Sequence, residues 1–134
     1  MNILGIDFGQ RRVGLAKANS QNKIAFPFGY LQRKNDQQLL KELIQLIEKE
    51  GFELIVIGLP LSVKFQETKQ TKTTKRFATQ LSSLVKIPIV FENELFTSQQ
   101  AQQILKEKGK LKKGELDRVA AQLILQSYLD KNHI

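Results

Sequence analysis

The first residues set a strand pattern. "NILGIDF" is apolar apart from Asn2 and Asp7, and Gly9-Gln10-Arg11 behind it can turn. "RVGLAKA" has the length of a returning strand, and "KIAFPFGYLQ" follows the polar turn "NSQN" as a third. Strands at such short spacing predict an antiparallel meander. Pro27 belongs at an edge or a bulge, because it has no N–H to give to a ladder. From Asp36 the period changes. In "DQQLLKELIQLIEKEG", Leu39, Leu40, Leu43, Leu46 and Ile47 recur at helical spacing, with Asn35 or Asp36 available as N-cap and Gly51 just past the end. "FELIVIGLP" is a continuous apolar run, as expected of a strand covered on both faces in a parallel sheet.

Residues 61–75 are polar and basic and lead into a predicted helix through "RFATQLSSLV". "IPIVFENEL" predicts a short strand and "SQQAQQILKEK" a helix. "KEKGKLKKGE" reads as a lysine-rich loop. "LDRVAAQLILQSYL" predicts a last helix with Leu116, Val119, Ala120, Leu123, Ile124 and Ser127 on one side. The order is three strands, then helix, strand, helix, strand and two helices. It predicts an α/β fold: a mixed sheet of three antiparallel N-terminal strands plus two parallel ones, with helices on its faces.

Composition narrows the class. At 134 residues the chain suits one domain spanning 1–134. It has no membrane-length apolar stretch and no signal-peptide pattern, and it has no cysteine for disulfides, thiolate metal sites or a thiol nucleophile. A soluble protein of the cytoplasm, with no membrane partner, is the expectation. The net charge of +8 points to an anionic partner, and nucleic acid is the commonest for a small basic domain.

Asp7 is the anomaly in this pattern. A carboxylate inside a buried strand costs several kcal/mol unless it is paired, hydrogen-bonded or bound to a cation. Two readings follow: it caps the turn at Gly9 and pairs with Arg11, or it is a metal ligand at the carboxyl end of a central strand, where α/β proteins place their sites. A hard cation such as Mg²⁺ or Mn²⁺ needs several oxygen ligands from separate elements. "FENEL" supplies Glu92 and Glu94, which alternation puts on one face with Asn93 on the other. "LDRVAA" supplies Asp117 in the first turn of the last helix, where an acid also suits the helix dipole. Small Ala120 and Ala121 would let that helix approach the sheet.

Three stretches carry a resemblance that covers nearly the whole chain. "GIDFGQRRVGLA", "IVIGLPLS" and "LDRVAAQLILQSYL" are similar to the opening, second and last motifs of the YqgF family. These are RuvC-like members of the ribonuclease-H-like fold, known as Holliday junction resolvases and as pre-16S rRNA nucleases. The resemblance implies catalytic, metal-binding roles for Asp7, Glu94 and Asp117, with two Mg²⁺ or Mn²⁺ ions as cofactors, and hydrolysis of phosphodiester bonds at the 5′ end of pre-16S rRNA during ribosome biogenesis. Where the family reads Asp-Glu-Arg, this chain has Asn93-Glu94-Leu95; Glu92 would be the ligand if the register slipped by two residues. The loop after the second motif is also altered, to "VKFQETK".

Basic residues gather beside these motifs. Lys64, Lys69, Lys72, Lys75 and Arg76 follow the second, and Lys106, Lys108, Lys110, Lys112 and Lys113 precede Asp117, with Arg118 just after it. Arg11, Arg12, Lys64, Lys69, Lys72, Lys112 and Lys113 are the expected nucleic-acid contacts. Few aromatic residues accompany them, so backbone rather than base recognition is expected. RNA is the favoured partner, with branched DNA and junction resolution as the alternative, and the chain would act as a monomer or homodimer. A nucleic-acid-binding protein with weakened catalysis is a third reading, motivated by Asn93 and Leu95. An actin-like ATPase needs a second lobe, and a protein kinase needs a Gly-rich loop and a His-Arg-Asp run; neither is present.

Overall fold

The computed structural model describes residues 1–61, 66–93 and 115–131, and the side chains of residues 115–117 lie outside that description. The strands are β1 (Asn2–Phe8), β2 (Arg12–Asn19), β3 (Ala25–Gln32), β4 (Leu54–Leu59) and β5 (Ile89–Asn93). The helices are α1 (Asp36–Glu50), α2 (Lys69–Ser82) and α3 (Glu115–Lys131). The described strands form one sheet in the order β3-β2-β1-β4-β5. β1, β2 and β3 pair antiparallel, while β4 and β5 run parallel to β1, as the pattern predicts.

Alternation along β1 sorts its side chains between two cores. Leu4, Ile6 and Phe8 face α1 and α2, packing with Leu39, Leu43, Ile47, Phe77 and Leu81. Ile3 belongs to the other core, with Val56, Ala121, Ile124 and Leu125 beneath α3. β4 is buried along its whole length because both faces are covered. Pro27 stands on edge strand β3 opposite Ala16, where the pairing with β2 shifts register between Leu15 and Ala16. The ladder there makes no demand on the missing N–H.

α1 begins and ends on local signals. The Asn35 side chain accepts from the Gln38 N–H, and Gly51 takes the left-handed conformation at φ 69° that closes the helix. α2 departs from expectation. It starts at Lys69, within the polar and basic stretch 61–75 that is expected only to lead into it, and stops at Ser82 rather than running on to Val85. Thr68 and Thr71 form a reciprocal capping box, and the buried face of the first two turns is made by Thr71 and Thr74. Their hydroxyls are satisfied by the Pro60 and Gln70 carbonyls, so polar residues serve as core and conceal the helical period.

α3 also differs in the face it buries. Ala120, Ala121, Ile124, Leu125 and Leu129 are buried, whereas Val119 and Leu123 are only partly so. Apolar residues surround this helix, and the sheet selects the stripe that includes Ala121 and Leu125. The helix predicted over "SQQAQQILKEK", the loop "KEKGKLKKGE" and Leu116 lie outside the described residues or side chains. No described helix is long and apolar enough to cross a membrane.

Candidate functional site

Asp7 is the next-to-last residue of β1, the middle strand of the sheet, at its carboxyl end. Alternation turns it away from Ile6 and Phe8, toward the α3 face, and it is partly buried. The backbone beyond it is held by side chains from two other elements. Gln70 Nε2, in the first turn of α2, donates to the Phe8 carbonyl at 3.1 Å. Arg33 Nη1 donates to the Gly9 carbonyl at 3.1 Å. Within the turn, the Gly9 N–H is shared between the Asp7 and Arg12 carbonyls, both at 3.1 Å.

Arg33 is fixed in turn. Its Nε lies 3.0 Å from Asp36 Oδ1, its Nη2 lies 3.4 Å from Oδ2, and its guanidinium stacks 4.1 Å from the centroid of the Phe8 ring. Neither Arg33 nor Gln70 was among the residues expected from the sequence. The i, i+3 pair of Arg33 with Asp36 was visible there, but nothing local indicated that it reaches back to Gly9.

Asp7, Gly58 and Glu92 form a row across three parallel strands. Ile6 pairs with Ile57 and Gly58 with Glu92, so Asp7 stands one step beyond the last β1–β4 pair, level with Gly58. Two strand spacings, roughly 10 Å, separate the backbones of Asp7 and Glu92. Gly58 between them carries no side chain. Glu92 points inward and is 6% exposed. Its Oε2 accepts from Ser127 Oγ and from Lys131 Nζ, each at 2.7 Å, both on α3. The carboxylate offered by a register slip is thus engaged by the last helix. Asn93 is exposed at the end of β5, and Glu94 and Leu95 lie outside the described residues.

α3 lies directly against β1. A Cβ on Gly5, two residues before Asp7 and on the same face, would come within 2.8 Å of Leu125 Cβ. Gln122 and Gln126 tie the helix to the edge of the sheet by bonding the Ala25 carbonyl and N–H at 3.0 and 2.9 Å. Asp117 stands in the first turn of α3, and its side chain lies outside the description.

The basic residues divide similarly. Lys69 and Lys72 are exposed at the start of α2, on either side of Gln70, the residue that reaches Phe8. The first turn of α2 contains no acid, and cations there oppose the helix dipole. Arg11 is exposed and Arg12 half-buried in the turn after β1. Lys64, Lys112 and Lys113 lie outside the described residues. Lys75, one turn further along α2, is hydrogen-bonded to Glu67. That bond, reinforced by the lysine's charge, holds the Glu67 carboxyl below the usual glutamate range. Among the described residues no group of three or more His, Cys, Asp or Glu side chains could hold a metal ion.

Comparison with known proteins places this geometry. RuvC of Thermus thermophilus, solved in complex with a Holliday junction substrate, superposes with a TM-score of 0.61 at 13% identity, covering 99% of this chain and 97% of that one. The fowlpox virus Holliday junction resolvase gives a TM-score of 0.62 at 11% identity, covering 98% of this chain and 100% of that one. The fold is therefore ribonuclease-H-like, of the RuvC type. Two relatives share more sequence, and both are named "Putative pre-16S rRNA nuclease". That of Maridesulfovibrio salexigens is 39% identical over 96% of this chain and 98% of its own length. That of Nitrosospira multiformis is 38% identical over 97% of this chain and 88% of its own. A family profile described as "RuvX: Holliday junction resolvase" matches residues 1–131, and with relatives this similar along nearly their whole length, the chain belongs to the RuvX family, the YqgF family of the sequence resemblance.

Proposed function

We propose that the chain, acting as one domain over residues 1–134, is a divalent-metal-dependent nuclease that trims the 5′ end of pre-16S rRNA. The observation that carries this reading is Asp7. It is a partly buried carboxylate at the carboxyl end of the middle strand, and the two peptide groups after it are pinned by Gln70 and Arg33. A site held this firmly suits a ligand whose geometry matters.

The donor set fits a hard cation. Asp7, Glu94 and Asp117 offer only carboxylate oxygens, and the chain has no cysteine and a single histidine, His133. These three residues would hold two Mg²⁺ or Mn²⁺ ions. Such ions, when bound, supply the positive charge that lowers the pKa of the attacking water and stabilises the leaving oxygen. The chain's own contribution is to fix the carboxylates and to hold the substrate. Arg11, Arg12, Lys69 and Lys72, with Lys64, Lys112 and Lys113, would bind phosphates and fix the register of the strand without reading its bases. The names of the full-length relatives favour RNA.

A second reading, cleavage of branched DNA, is favoured by the RuvC-type fold and by the family description. It requires a homodimer, since two strands must be cut symmetrically, whereas the RNA reading is compatible with a monomer. The deciding experiment assays purified protein with Mg²⁺ or Mn²⁺ on a pre-16S 5′ fragment and on a four-way junction, beside Asp7→Asn. Metal-dependent RNA cleavage that disappears in a folded Asp7→Asn variant is expected. Equal activity in the variant would sink the mechanism, and junction cleavage by a dimer would favour the second reading. RNA binding with no turnover would indicate that Asn93 and Leu95 mark a nuclease that has lost its chemistry.

A further inference from the structure

Asp7 lies in a row that spans the whole sheet. The β1–β2 ladder sets Gly14 opposite Asp7, and the β2–β3 ladder sets Tyr30 opposite Gly14. With Gly58 and Glu92 on the other side, the row runs Tyr30, Gly14, Asp7, Gly58, Glu92. Residues level with one another in a sheet share a face, so Tyr30 stands on the face that carries Asp7. Its neighbour agrees: Leu31 packs against the core beneath α1 and α2, which turns Tyr30 to the opposite side. Asp7 is thus flanked on both sides by glycine. Toward the β3 edge, the next side chain in the row is the ring of Tyr30, its backbone two strand spacings, roughly 10 Å, from that of Asp7.

The two ends of the row differ. Glu92 is tied to α3 by Ser127 and Lys131. Tyr30 is half-buried on an outermost strand and belongs to neither hydrophobic core. Among the described residues its side chain makes no hydrogen bond and no ring contact. Arg12, two residues before Gly14, shares its face. We propose that Tyr30 is a substrate contact: its ring is the platform on which one unpaired base stacks when the adjoining phosphate lies at Asp7. Gly14 leaves the path between ring and carboxylate clear of side chains, and Arg12 stands beside that path. The inference deepens the nuclease reading and rests on it for the placing of the strand at Asp7. It also names the substrate's form, because a platform accepts only a base that has left its own stack, as in single-stranded RNA. Every base has a π-face, so the ring adds affinity without selecting sequence. Tyr30 stands apart from both basic clusters in the chain, and only the ladders bring it level with Asp7.

The test measures affinity without metal for two fluorescein-labelled probes: an unpaired RNA octamer of mixed sequence, and a backbone of the same length and charge made of abasic nucleotides. Wild type is compared with Tyr30→Ala, Tyr30→Leu and Tyr30→Phe, with the melting temperature of each as a check on folding. Stacking of one base on an aromatic ring is lost on truncation at a cost of roughly 5- to 150-fold in affinity, so Tyr30→Ala should bind the octamer more weakly by that factor. Wild type and Tyr30→Ala should bind the abasic backbone alike. The slope of log affinity against log salt should not move, since the phosphate contacts are untouched. Tyr30→Phe, which keeps the ring, should bind like wild type.

Wild-type affinity for the octamer in folded Tyr30→Ala would overturn the proposal. So would an equal loss on both probes, because the ring would then support the fold or the phosphate contacts rather than a base. A loss in Tyr30→Phe as large as in Tyr30→Ala would assign the effect to the hydroxyl and overturn the stack as well. If Tyr30→Ala fails to fold, Tyr30→Leu, which fills the site without a ring, carries the same comparison. Mn²⁺-dependent cleavage by wild type and by Asp7→Asn is assayed in parallel. Equal cleavage by the two refutes the Asp7 mechanism, while the octamer comparison still decides the stack. Wild type that binds neither probe refutes both. Cleavage that requires Asp7, beside a Tyr30→Ala variant that binds like wild type, refutes the stack alone.

Discussion

Gly5 and Leu125 are closer than two side-chain-bearing residues could be: a Cβ on Gly5 would lie 2.8 Å from Leu125 Cβ and 3.3 Å from the Ala121 carbonyl oxygen. The contact is made by backbone and by the first side-chain carbon, neither of which can rotate away. Gly5→Ala must therefore lift α3 from β1 or distort both, at about 1–3 kcal/mol for an overpacked site. At roughly 4 °C per kcal/mol for a chain of this size, calorimetry should show a melting temperature lower by about 4–12 °C. Trimming the neighbour as well, in Gly5→Ala with Leu125→Ala, should not restore it, because the clashing carbon remains. An unchanged melting temperature in Gly5→Ala would contradict the close approach.

Phe77 is 2% exposed and stacks on Phe8 with ring centroids 4.2 Å apart. Phe77→Ala should cost about 3–5 kcal/mol, measured by urea unfolding, which is a large part of the roughly 5–15 kcal/mol that holds a domain folded. Phe8 follows Asp7 directly, so the same variant should also lower nuclease activity under conditions where it remains folded. A variant with wild-type unfolding free energy would mean that the stack carries no weight.

Lys69 and Lys72 test the proposed nucleic-acid contacts. Each phosphate contact to a single strand contributes about 0.7 to the slope of log affinity against log salt, so Lys69→Gln with Lys72→Gln should reduce that slope by about 1.4. The loss should be similar for RNAs of different sequence, because backbone contacts carry no base information. A slope equal to wild type would place the strand elsewhere.

Glu67 supplies a pH prediction. Its carboxyl is held below the usual glutamate range first by the hydrogen bond from Lys75 and then by that lysine's charge, with a further contribution from the charge on Lys72. A depressed acid stabilises the fold above its unfolded pKa, and the contribution is lost as pH falls through the folded one. Followed by NMR, the Glu67 midpoint should lie below that of an ordinary glutamate and move upward in Lys75→Met. High salt should move it the same way, since the pair is exposed and screened. A midpoint insensitive to Lys75→Met would show that the ion pair does not form.

Much of the scaffold was legible because its signals are local. The caps of α1 are set by Asn35 and Gly51, the buried run of β4 by its own composition, and the place of Pro27 by its missing N–H. Asp7 stood out for the same kind of reason, as a charge in an apolar strand. α2 was read short where Thr71 and Thr74 act as core residues, since threonine looks polar until the carbonyls that satisfy it are known.

The sequence by itself determined the elements, the sheet's mixed character and the carboxylate at its centre, because periodicity and capping depend on residues within a few positions of each other. Only the tertiary structure decided what surrounds that carboxylate. Gln70 reaches Phe8 across 62 positions, Arg33 reaches Gly9 across 24, and Glu92 meets Ser127 and Lys131 across 35 and 39. It also decided which stripe of α3 is buried, since apolar residues stand on more than one side of this helix and the sheet beneath selects among them. Such partners are chosen by how layers pack, and a chain of local preferences does not encode which distant side chain arrives at a given carbonyl or carboxylate.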